Sequence, residues 1–151
     1  MFSMERRNLL FESLFGVTLR KIVIHSTDPD EAVDDLIEFV AADGRRYGMY
    51  HPQSCCESVS IESIVGDLRD LIGTPITLAE EATNSEKATR AAGGYHHLEK
   101  SHTWTFYKLA TIKGYVDIRW YGKSNGYYSE EVSFCRLEPD VPPLSGGKVF
   151  E

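Results

Sequence analysis

The chain has 151 residues, 42% of them hydrophobic and 26% charged, with a formal net charge of −7 and a pI of about 5.2. That length fits one domain with a single core, and that composition excludes a disordered chain. The acidic balance speaks against general nucleic-acid binding, which needs a basic stripe to release counterions, although a local basic pocket stays open.

The first fifteen residues predict a short helix: Leu10 and Leu14 are one turn apart, and Gly16 is placed to stop it. This start lacks the basic segment, long apolar run and cleavage site of a signal peptide. No apolar run approaches the ~20 residues of a membrane span. A cytoplasmic protein is expected, in a host cytoplasm if it is phage-encoded. Val17, Leu19, Ile22 and Ile24 then suggest a strand with an irregularity near Arg20–Lys21. The acidic stretch Asp28–Asp35 lacks the glycine and spacing of a calcium loop and reads as a solvated turn.

Two strand-like runs flank Asp43-Gly44, which predicts a hairpin closed by a type I′ turn. Further on, Glu57–Ser63 could continue as a strand, after which Ile61, Val65, Leu68 and Ile72 recur at helical spacing, with Gly73 and Pro75 as stop signals and Thr74–Ala82 as a short run suited to a sheet edge. A helix packed on a sheet is expected there. Residues 83–101 carry Gly93-Gly94 and no sustained period, and read as a variable loop with His96 and His97 in it. Residues 1–138 are expected to form a single α+β domain. Its core is a mostly antiparallel sheet of about five to seven strands with one or two short helices. Residues 139–151 form an extended or disordered tail rich in proline and glycine.

Trp104–Phe134 holds both tryptophans and nine of the seventeen aromatic residues. Folded about a Lys113-Gly114 turn, it pairs Ile112 with Tyr115, Lys108 with Arg119, and Phe106 with Tyr121 on one face. Leu109 opposes Ile118, and Tyr107 opposes Trp120, on the other face, which is taken as the core. Lys108 and Arg119 then repel across the pair. Something negative belongs between them, either a protein carboxylate such as Asp117 or Glu130, or an anionic ligand with aromatic faces to stack on. The candidate binding residues are Trp104, Phe106, Lys108, Arg119 and Tyr121, with Asn125 and Tyr127 from the following Gly/Ser/Asn turn.

His51, Cys55, Cys56 and Glu57 form a second, alternative cluster, open to readings as zinc ligands or as a Cys/His nucleophile pair. The bland reading is a packed cysteine and a capped turn. Cys55, Cys56 and Cys135 cannot all pair, a vicinal disulfide is rare, and the odd count predicts free thiols. No cofactor and no metal are expected. Glu80-Glu81, Glu62, Asp67 and Asp70 are carboxylates that read as solvated charge.

The runs YHPQSCCESVSIESIVGDLRDLIGTPI, LAEEA, WTFYKLATIKGYVDIRWYG and SNGYYSEEVSF resemble a family of small phage and bacterial proteins of unknown function. Gln53-Ser54 departs from the acidic or amide residue usual before the cysteines. The resemblance implies a phage accessory context and carries no catalytic residue. The expected function is a non-enzymatic binding protein acting on a host or defence component, its ligand a protein or a small anionic, nucleotide-like molecule. The alternatives are a structural or assembly oligomer and a small Cys/His or metal-assisted hydrolase.

Overall fold

A computed structural model of the chain describes residues 9–25, 35–86, 101–139 and 146–151. The described residues contain no α-helix. Among the described residues nine strands run in chain order: β1 Leu19–His25, β2 Leu36–Ala41, β3 Arg46–Tyr50, β4 Ser58–Val65, β5 Leu78–Glu86, β6 Ser101–Thr111, β7 Gly114–Ser124, β8 Ser133–Leu137 and β9 Lys148–Phe150. They form two antiparallel sheets, ordered β8-β3-β2-β1-β9 and β4-β7-β6-β5. The α+β expectation is therefore corrected to a β-rich fold with two 3-10 turns, Phe11–Leu14 and Leu68–Leu71.

The overturned helix has a specific cause. Ser58–Val65 is rich in Val, Ile and Ser, which suit a pleated strand. A bulge lies between Ile61 and Ser63, with Glu62 as the extra residue. Val59, Ile61 and Ile64 all face the core cluster, so the inward spacing is two and then three. A bulge thus turns a strand period into a helix-like one. Gly66 ends the strand at φ +109°, where an added Cβ would stand 2.5 Å from the Tyr115 carbonyl oxygen. Asp67 then caps the short turn by accepting the Arg69 amide at 3.0 Å.

The two sheets share one hydrophobic core. Leu19, Ile22, Ile37, Phe39, Tyr47, Met49 and Phe134 enter it from the first sheet, and Tyr107, Leu109, Val116, Ile118 and Trp120 from the second. Trp120 is wholly buried, and its indole N–H points at the Met49 sulfur, 3.2 Å away in the other sheet. Phe11 bridges the layers, with ring centroids 4.6 Å from Tyr107 and 5.4 Å from Phe134.

The β2–β3 hairpin forms around Asp43-Gly44, but with different turn chemistry. Val40 pairs with Arg46, and the Ala41 N–H donates to the Arg45 carbonyl. Gly44 alone takes a positive φ, +94°. That is a three-residue loop with the glycine in the left-handed position, not a two-residue type I′ turn. β1 carries the expected irregularity, a register shift between Leu19 and Lys21. At the other end of the chain, Lys148–Phe150 adds to β1 as an edge strand. The acidic stretch up to Val33 and Asp34, and the loop histidines His96 and His97, lie outside the described residues.

Candidate functional site

The β6–β7 hairpin places the predicted faces correctly and the predicted partners one step off. Its loop is Ile112-Lys113, so Thr111 pairs with Gly114, Lys108 with Asp117, Phe106 with Arg119 and Trp104 with Tyr121. Lys108 does not oppose Arg119. It stands between Asp117 on β7 and Glu80 on β5. Arg119 Nε lies 3.1 Å from Glu62 Oε2, a half-exposed ion pair supplied by the bulged residue of β4. The like-charge pair that called for an anion is thus absent, and carboxylates of the protein flank both cations.

Trp104, Phe106, Lys108, Arg119 and Tyr121 do share the outer face of the second sheet. His102 joins them. Its Nδ1 is 2.5 Å from the Tyr121 hydroxyl, and its ring stacks beside Trp104 and Tyr121 at 6.1 and 5.8 Å. Trp104, two residues along the same strand face, was the signal for it. These rings pack on one another and are only partly exposed.

A groove of about 460 Å³ opens on the opposite side of β6. Alternation puts Ser101 and Thr103 there, back to back with His102 and Trp104. Thr83 and Ser85 line it from β5, and Tyr127, Tyr128, Ser129, Glu130 and Glu131 from the segment after β7. Asn125 shapes that segment: its Oδ1 accepts the Tyr127 amide at 3.1 Å, while Ser124 Oγ accepts the Gly126 amide at 3.0 Å. Of the seven predicted binding residues, Tyr127 therefore reaches the groove, Asn125 sets its wall, and five lie on the other face.

Glu130 is the groove's buried acid. Its carboxyl group accepts Thr103 Oγ1 at 2.7 Å and Ser124 Oγ at 2.5 Å, with Ser101 Oγ at 3.4 Å. Gly122 admits it closely, since an added Cβ there would meet Glu130 Cβ at 3.0 Å. Glu81 and Glu131 extend the acidic character. Burial first, then the charges of Glu12 and Glu131, hold the Glu81 pKa above the usual carboxylate value. The hydroxyl of buried Tyr107 lacks a well-aligned partner, and burial, with Glu81 beside it, pushes its pKa up.

His51 and Glu57 come together beneath the turn whose exposed side carries Cys55 and Cys56, and none of the four lines the groove. His51 Nδ1–H donates to the Glu131 carbonyl at 2.6 Å, and its Nε2 lies 3.8 Å from Glu57 Oε1. Glu57 Oε1 accepts the Ser54 and Cys55 amides at 2.6 and 3.0 Å. Solvent does not reach this carboxyl. Burial pushes its pKa up, and the Cys55 and Ser54 amides with His51 outweigh that, leaving it below the usual value. The expectation of three free thiols is corrected: Cys55 and Cys56 are joined in a disulfide on the exposed turn, and Cys135 is a buried thiol in β8. Among the described residues, no three His, Cys, Asp or Glu side chains are grouped to hold a metal ion. Nor is any described helix long and apolar enough to cross a membrane.

Residues 12–134 match the family described as domain of unknown function DUF7448. The chain belongs to that family. No curated protein and no solved structure matches it. The DUF7448 match spans β1 through the start of β8, and so includes the groove, the aromatic face and the Cys55–Cys56 turn.

Proposed function

We propose that this DUF7448 protein is a non-enzymatic binding protein whose groove receives an extended, basic segment of a protein partner. One observation carries the reading. The groove is lined by Glu130, Glu131 and hydroxyls, with no lysine, arginine or histidine among its described lining, and it runs beside the edge strand β5. Among the described residues no strand pairs with the outer edge of β5, and seven of its nine residues are exposed. An added strand would satisfy that edge by backbone pairing while alternate side chains enter the groove. Glu80, Glu81 and Glu86 guard the edge against indiscriminate pairing and favour a cationic newcomer. Burial first, and then repulsion from Glu12 and Glu131, raises the Glu81 pKa, and an incoming Lys or Arg would relieve the repulsive part.

An anionic ligand on the outer face has less support, because Lys108 faces Glu80 and Asp117 and Arg119 pairs with Glu62. A hydrolase reading has less support for a similar reason: His51 is turned to Glu57 and the Glu131 carbonyl, away from any open cleft. A cytoplasmic phage accessory acting on a host or defence protein fits a binding role of this kind. The test is fluorescence anisotropy with a labelled nine-residue peptide of alternating Lys and Thr, matched to the nine residues of β5. Salt-sensitive binding, with none to the Glu/Thr counterpart, is expected. Equal binding of both peptides, or of neither, contradicts the proposal.

A further inference from the structure

We propose that Cys55 and Cys56 form a redox-active vicinal disulfide whose state sets the wall of the groove. Both cysteines are solvent-exposed, so a small thiol can reach the bond. Their turn is also the clamp on Glu57. The Cys55 amide donates to Glu57 Oε1 at 3.0 Å, and the Gln53 side chain spans the same turn, donating to the Cys55 carbonyl at 3.4 Å and to the Glu57 carbonyl. Glu57 faces His51 at 3.8 Å, and His51 holds the Glu131 carbonyl at 2.6 Å. Glu131 and its neighbour Glu130 line the groove. Three contacts thus join an exposed sulfur pair to the groove wall.

The chemistry balances with a dithiol reductant. The reductant's thiolate attacks one sulfur, the Cys55–Cys56 bond breaks through a mixed disulfide, and the second reductant thiol closes its own disulfide. Two electrons and two protons pass to the cysteines. The bond ties adjacent side chains on the turn, and opening it frees that turn and loosens its hold on Glu57. In a reducing cytoplasm such a bond is transient, as suits a sensor and not a staple.

The experiment needs no partner. Thiol titration of the full chain in denaturant after diamide treatment is expected to find one thiol, Cys135, and three after dithiothreitol. Hydrogen exchange of peptides covering 126–131 is expected to quicken at least about threefold on reduction, as local opening becomes easier. The Cys55→Ser/Cys56→Ser variant, which alters only exposed side chains, exchanges like the reduced protein and ignores dithiothreitol. Glu57→Gln keeps the thiol chemistry and loses the response at 126–131. Three thiols after diamide, or equal exchange in both states, overturns the proposal.

Discussion

Glu57 and Glu130 are both buried carboxyl groups, and they are held in opposite ways. Glu57 accepts backbone amides of its own turn, whose directions are fixed by the chain, and its remaining neighbour is a histidine spoken for on its other side. Glu130 accepts the hydroxyls of Ser124 and Thr103, which rotate, and it borders a groove. A fixed donor set serves one geometry. A rotatable one can release an acceptor to an incoming cation and find another partner. The difference separates a carboxyl that shapes a turn from one equipped to bind, although burial alone makes them look alike.

Substitution at Glu130 gives the largest effect that sharpens this contrast. Glu130→Gln is expected to weaken the Lys/Thr peptide by roughly ten- to a hundredfold, the loss of one charge-assisted contact of about 1.5–3 kcal/mol. Its stability should change by no more than about 1 kcal/mol, since an amide oxygen still accepts the hydroxyls. Glu57→Ala reverses the pattern. Two backbone amides lose their acceptor, so a loss of about 2 kcal/mol is expected in denaturant unfolding, with peptide affinity reduced less than by Glu130→Gln. If Glu57→Ala weakened binding more than Glu130→Gln, the contrast would be broken.

The acid limb of stability offers a subtler test. The Glu57 pKa in the folded chain lies below its ordinary value of 4.5. Its contribution is therefore fully present above that value and is lost as pH falls through the folded pKa. Unfolding curves across this window are expected to show a shallower acid decline for Glu57→Gln than for the wild type. Smallest of all is Arg119→Ala. Its ion pair with Glu62 is close to half exposed, so a change below about 1 kcal/mol in unfolding and none in peptide affinity is expected.

Part of this architecture was legible in the chain. Asp43-Gly44 marked the first hairpin, and strict alternation from Thr105 to Trp120 assigned Tyr107, Leu109, Ile118 and Trp120 to the core. Pairing was less legible than facing. Moving the turn from Lys113-Gly114 to Ile112-Lys113 preserves every face while replacing Arg119 by Asp117 opposite Lys108. Period-2 patterns fix sides and leave such shifts open. The start of β4 was legible as a possible strand over Glu57–Ser63, but the bulge at Glu62 gave its second half a helix-like spacing, with no local mark beyond a charged residue between Ile61 and Ser63. The groove was hidden differently. Ser101 and Thr103 continue the inward face of β6 past the end of the core, and only the chain's return after β7 brings Glu130 to their hydroxyls.

Hydrogen exchange of the β5 amides with and without the Lys/Thr peptide tests the central claim most directly. Backbone pairing along the open edge is expected to slow exchange between Ala82 and Glu86, while the outer aromatic residues Trp104 and Tyr121 keep their rates. Unchanged β5 amides under saturating peptide, or protection confined to the Trp104–Tyr121 face, would contradict it.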